Sequence, residues 1–339
     1  MTLDADRRAR LRVVKARTLV AEHLSVDPSA LDVAPLAGGA AVRVPDGLWV
    51  LVDHVGALGA ALALAERESS TLSVMADRAA PGAIDVPGLV ARRAEQFTGA
   101  IEVWQVDDRA LTPATPAPVA DRRVPSAAAV ALIGVLEEAG VDVTVEHGAI
   151  RGEIRGLEIA RIVEAPDGAR IEVGVGRHDR EAFTMVHGDL PTADALRSVI
   201  ASVDAVRRAD AEAHPLRRLA PEGWLRSMVL ARPDVVGALT LVPAEPPMPR
   251  DSVKDTATAI AVGTDPDGRA LVVACSVGID LDLVPSAADA RVVHDPAARL
   301  VLVLPERDAH PMTRRLAARL RRPADVFTVD DDWRRGVGS

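Results

Sequence analysis

Three times in this chain a proline-aspartate-glycine triplet stands between two apolar runs, in Val44-Pro45-Asp46-Gly47-Leu48, Ala165-Pro166-Asp167-Gly168-Ala169 and Asp265-Pro266-Asp267-Gly268-Arg269. Proline presets φ for the first corner of a turn and glycine tolerates the left-handed position that follows, so the triplet predicts a three-residue loop closing a β-hairpin. In the central copy this loop pairs Ala165 with Ala169. Leu157, Ile159 and Val163 then share the core face with Ile171, Val173 and Val175, and Glu158, Glu164, Arg170 and Glu172 face outward.

The order of patterns around the hairpins predicts the rest of the architecture. Leu11 to Asp108 and Leu225 to Asp331 both run helix, strand, hairpin, two strands, helix, strand, and Ile101-Glu-Val-Trp-Gln-Val-Asp-Asp answers Ala324-Asp-Val-Phe-Thr-Val-Asp-Asp. They are read as diverged copies of one unit. The expected fold is α/β (α+β), with three tandem helix-strand-hairpin modules and mixed sheets. Residues 1–110 form the N-terminal module, 111–125 a proline-rich linker, 126–220 the central hairpin module and 221–335 the C-terminal module.

Within this plan Leu58 to Ala65 is expected as a strand, with a helix as the alternative that its alanine content allows, and Pro87 to Phe97 as a helix. Thr192 to Arg208 is a helix with Leu196, Val199, Ile200, Val203 and Val206 inward and Arg197, Asp204 and Arg207 in water. Pro243 to Pro249 is an irregular insertion.

Charge and composition narrow the function classes. A net charge of −9 disfavours wholesale attraction to nucleic acid or to an anionic membrane, and no tyrosine with three phenylalanines leaves little for a base-stacking platform. No apolar run reaches the roughly 20 residues of a membrane span, and the charged start from Met1 to Arg17 has no apolar segment of a secretory signal, so a cytoplasmic protein is expected. The single cysteine, Cys275, lies in an apolar run and is expected as a buried hydrophobe.

Two stretches carry candidate chemistry. In Gly278-Ile-Asp-Leu-Asp-Leu-Val-Pro, strand alternation puts Asp280 and Asp282 on one face, and Glu306, Asp308 and His310 follow at the head of a helix. These five form an oxygen-rich set suited to magnesium or manganese. On the helix expected from Met312 to Arg322, Met312, Leu316 and Leu320 face the core and Arg315, Arg319 and Arg322 make a row that meets an anionic partner. A third basic feature, Arg7, Arg8, Arg10, Arg12, Lys15 and Arg17, covers more than one face of the first helix.

A helix followed by three strands, a helix and a strand resembles the core of the PD-(D/E)XK nuclease superfamily, and Ile171-Glu172-Val173-Gly174 is similar to its glutamate-x-lysine strand, with glycine where the lysine belongs. The resemblance implies a metal shared by Glu172 and an acid on the neighbouring strand. The expected register sets Glu158 roughly 13 Å along the strand from Glu172, so Glu164, diagonal to Glu172, is the better partner. The residues favour a protein that acts through binding or assembly of a protein or anionic partner, without catalysis or cofactor. Nucleic acid stays open as a partner and a membrane does not. The alternative is a metal-dependent hydrolase or nuclease-like enzyme using magnesium or manganese.

Overall fold

The computed structural model describes residues 3–166, 168–176, 180, 191–249 and 258–335. The fold is α+β with three sheets, and the chain divides into two compact units. The first comprises Met1–Val119 with Asp280–Asp289 and His310–Ala324, the second Ala120–Ile279 with Ala290–Ala309 and Asp325–Ser339. The C-terminal module is therefore not one contiguous body, because two of its segments pack within the first unit.

In the first unit helix α1 (Leu3–Leu24) lies on a six-stranded sheet of β1 (Asp32–Leu36), β2 (Gly39–Val44), β3 (Gly47–Val52), β4 (Leu72–Asp77), β5 (Ile101–Asp107) and β6 (Ala110–Pro113), in that order. Ala16, Leu19 and Val20 of α1 pack on Trp49, Leu51 and Met75. β3, β4 and β5 are parallel, so each step needs a crossover. Helices α2 (Leu58–Glu68) and α3 (Val86–Ala94) supply the two crossovers. Leu58 to Ala65, expected as a strand, is thus helical, as its alanine and leucine content allows. The expected linker at 111–125 begins instead as part of edge strand β6.

The second unit holds two sheets. Helices α4 (Ala127–Val130), α5 (Ile133–Glu138) and α6 (Thr192–Val206) cover one face of an antiparallel sheet of β7 (Asp142–Glu146), β8 (Ala149–Ile154), β9 (Leu157–Ala165) and β10 (Gly168–Val173). Helix α7 (Pro221–Ala231) packs on a five-stranded sheet of β11 (Thr240–Ala244), β12 (Ala259–Thr264), β13 (Ala270–Cys275), β14 (Arg299–Pro305) and β15 (Asp325–Val329). Along both β1 to β5 and β11 to β15 the pairing runs antiparallel, antiparallel, parallel, parallel.

The hairpin loops differ from one another. Val44 pairs with Gly47 and Ala165 with Gly168, which leaves two residues between the strands. Only the third copy closes with the expected three-residue loop: Asp265 N–H donates to Arg269 O at 2.9 Å and Gly268 is left-handed at φ +78°. The residue before the proline explains the difference. The Asp265 carboxylate accepts from the Asp267 and Arg269 amides at 2.9 and 2.8 Å, whereas Val44 and Ala165 have no side-chain acceptor to offer.

The shorter central loop slips the register by one residue. Ile171 faces Ile162 and Glu172 faces Arg161, so Ala160, Ile162, Ile171 and Val173 join the core face, and Val163 pairs with Arg170 instead. Leu157 still reaches the core because the β8 pairing skips Ile159, a bulge that reverses the alternation. Both halves of β9 therefore bury apolar side chains.

The turn between β8 and β9 meets the start of α7 backbone to backbone. A Cβ on Gly223, at the start of α7, would lie 2.3 Å from Gly156 O, and one on Gly156 would lie 2.0 Å from Gly223 O. Gly223→Ala is expected to destabilise the protein by about 1–3 kcal/mol or more, since neither backbone can give way. Gly134→Ala, on an open helix surface, is expected to stabilise it by about 0.5–1 kcal/mol. Urea unfolding of the two variants checks the contrast, and equal effects would contradict the close approach.

Candidate functional site

Asp280, Asp282, Asp308 and His310, four of the five expected metal ligands, are engaged in other ways. Gly278 to Asp282 is not a strand but an irregular approach to helix α8 (Leu283–His294). The Asp282 N–H donates to Asp280 Oδ1 at 2.8 Å, and Asp282 Oδ2 accepts from Arg93 at 2.9 Å. Arg93 and Arg92 together hold Asp289, which is fully buried. Asp280, Asp282 and His310 belong to the first unit, Glu306 and Asp308 to the second. His310 Nδ1 caps the next helix by accepting from Met312 N–H, and Asp308 accepts from Gly278 N–H at 2.7 Å. Among the described residues no three His, Cys, Asp or Glu side chains are gathered to hold a metal ion.

The arginine row does not form either. Helix α9 (Pro311–Ala318) ends before Arg319 and Arg322, so the three arginines share no helical face. Arg319 pairs with Glu66 at 2.7 Å and donates to Thr98 O, Arg315 is exposed, and Thr313 rather than Met312 is buried.

The register slip also reorganises the glutamates. Glu164 and Glu172 lie on opposite faces of the sheet, and Glu164 accepts from the Ser126 hydroxyl at 2.6 Å. Glu158 and Glu172, expected far apart, both meet the Arg180 guanidinium, at 2.7 and 4.0 Å. They belong to a charged face opposite the core. There Glu146 pairs with Arg151, Glu158 with Arg161, and Glu153 accepts from Thr144 at 3.1 Å and from Arg226 at 2.7 Å. Glu146, Arg151, Glu153, Glu158 and Arg226 are all buried, so each charge depends on its partner.

This charged face opens into a cleft of 780 Å³ between β7, α7 and β11. Thr144, Glu153 and Arg226 lie at its wall, Met228, Leu230 and Leu241 give it an apolar side, and five arginines against three carboxylates line it in all. Its size falls in the usual range of ligand sites, roughly 300–1,000 Å³.

Arg207, expected in water, is fully buried beside the cleft. Its guanidinium lies 4.6 Å from the Trp224 ring centre and donates to the carbonyls of Arg155, Leu216, Leu219 and Ala220. Ala220, left-handed at φ +41°, turns its carbonyl to this arginine just ahead of Pro221. Arg207 has no carboxylate partner among the described residues. Burial, and after it the Arg334 cation, push it down to about 9. Arg334 itself lies 4.4 and 5.4 Å from the Trp333 and Trp224 rings, also without a carboxylate partner among the described residues. Trp224 and Trp333 meet edge to face at 5.9 Å. The sequence signals for this knot were Trp224 behind Pro221 and the ending Trp333-Arg334-Arg335, where rings and cations alternate. Cys275 is buried, and burial pushes its thiol up to about 12.

Two outcomes follow from these buried charges. Arg226→Met leaves Glu153 with only a hydroxyl partner and is expected to cost about 3–5 kcal/mol in urea unfolding, with Glu153→Gln in the same chain recovering part of it. Burial raises the Asp282 carboxyl to about 6, against the opposing effect of Arg93. The folded state then binds this proton more tightly than the unfolded chain, whose carboxyl titrates near ~3.9. The stability from this group is full below that value and is lost as pH rises through about 6. The melting temperature of Asp282→Asn should therefore depend less on pH between pH 4 and pH 7 than that of the parent; equal slopes would show an ordinary carboxyl.

Against family models, curated proteins and solved structures the chain matches nothing, so no residue role is carried over to it from a relative.

Proposed function

We propose that the protein works by binding rather than by catalysis, and that the cleft of the second unit receives an anionic partner. The observation that carries this reading is a local surplus of cation in a chain of net charge −9. Arg334 stands over two tryptophans at the cleft, Arg207 lies buried behind it, and neither has a carboxylate partner among the described residues. Burial weakens both cations, helped at Arg207 by Arg334 and at Arg334 by Arg307 and Arg217, and an arriving carboxylate or phosphate offsets this at Arg334. Planar guanidinium forks match the oxygen pairs of such groups. The single thiol is too deeply buried and too weakly acidic to serve as a nucleophile there.

The shared pairing order of β1 to β5 and β11 to β15 supports the reading of Leu11 to Asp108 and Leu225 to Asp331 as diverged copies. On that reading the tryptophan and arginine knot flanks the later copy, with Arg207 and Trp224 ahead of it and Trp333 and Arg334 just after it.

Thermal unfolding with inorganic tripolyphosphate at constant ionic strength tests the binding reading. The parent is expected to gain stability with a saturating dependence, about 2.7 kcal/mol at a hundredfold excess over Kd. Arg334→Gln with Arg335→Gln is expected to lose most of that gain, and identical shifts in the two proteins would sink the reading.

A further inference from the structure

Two sheet edges open onto the cleft. β7 ends the four-stranded sheet and β11 the five-stranded one, and Val143 and Thr144 of the first and Leu241 and Pro243 of the second line it. Beyond their far ends the two segments are tied where His147 N–H donates to the Glu245 carboxylate at 2.8 Å. An edge strand presents unpaired N–H and C=O groups, which charge, proline or a cover usually protect. β11, with the sequence Thr240-Leu-Val-Pro-Ala, carries no charge. Val242 within it and Leu239 just before it stand 56% and 62% exposed.

The direction of its donors follows from Pro243. This residue pairs opposite Ala261 but has no N–H to give, so its position belongs to the side of the strand turned away from β12. N–H direction alternates along a strand, and Leu241, two residues earlier, points its N–H the same way. Among the described residues no further strand pairs with β11.

We propose that the cleft takes an extended acidic peptide, added as a further strand along β11. This rests on the anion-binding reading above and narrows it to one class of partner. The edge supplies the main-chain pairing. Met228, Leu230 and Ala231 receive alternate apolar side chains, and Arg208, Arg334 and Arg335 meet the acidic ones. Nucleic acid matches the charge but has no peptide backbone to pair with the edge. Nor do the tryptophans offer it a stacking face, since Trp224 and Trp333 are buried.

The experiment uses the full chain and a fluorescein-labelled ten-residue peptide of alternating valine and glutamate. Two further versions are N-methylated on every second residue, in either phase, and a single-stranded oligonucleotide of matched charge serves as the competitor class. The parent peptide is expected to bind saturably and to slow amide exchange at Leu241. One methylated phase is expected to lose about tenfold or more in affinity, the equivalent of about 1.4 kcal/mol of main-chain pairing. Arg334→Gln with Arg335→Gln is expected to weaken binding and flatten its salt dependence. If both methylated peptides bind like the parent while the arginine variant binds weakly, strand addition is wrong and the anionic cleft stands. If the arginine variant binds unchanged, the cleft reading fails as well. No saturable peptide binding, or an equally tight oligonucleotide, overturns the peptide proposal.

Discussion

Guanidinium groups taken out of water fix how distant stretches of this chain meet. In the first unit Arg92 and Arg93 converge on Asp289, nearly two hundred residues away in sequence, and all three are buried. In the second, Arg226 reaches Glu153 of the central hairpin module from α7. A buried ion pair contributes little net stability, because desolvating both charges offsets their attraction. Its structural effect is larger than its net energy. A small displacement leaves a bare charge in a medium of low dielectric constant, so the segments that carry these groups have one acceptable arrangement.

Arg207 takes this furthest, since no carboxylate among the described residues pairs with it. Four main-chain carbonyls and the face of Trp224 replace its water. These acceptors come from the β8 to β9 turn and from the segment ahead of α7, so one side chain ties the antiparallel sheet to the helix that carries Trp224. The contact of Gly156 with Gly223 lies in the same region, and together they shape the cleft wall at Glu153 and Arg226. Cleft wall and structural joint are built from the same residues.

The two α/β sheets show how one connection pattern carries different chemistry. Both run through a hairpin, a crossover helix, a parallel strand, a second helix and a last parallel strand. In the first unit the aromatic side chains Trp49 and Trp104 stack at 5.9 Å beside His23. In the second, the tryptophans come from α7 and from the segment after β15, and arginines surround them.

The sequence by itself determined the elements whose signals are local. Proline-aspartate-glycine between apolar runs marks all three hairpins, the apolar stripe from Leu196 to Val206 marks α6, and an apolar run marks the burial of Cys275. Each depends on neighbours a few residues apart. Tertiary structure decided what depends on partners elsewhere. Leu58 to Ala65 is a helix because parallel strands on either side require a crossover. The central register moved by one residue because Ala165 lacks the side-chain acceptor that Asp265 has, and the bulge at Ile159 then carried Glu158 onto the face with Glu172. Arg207 reads as solvent-exposed from its charge, yet it continues the stripe of Leu196 and Val203 and is buried because carbonyls from two other segments surround it. The cleft arginines stayed hidden for the same reason: a chain of net charge −9 announces no basic site, and only the fold gathers Arg155, Arg208, Arg334 and Arg335 around one opening.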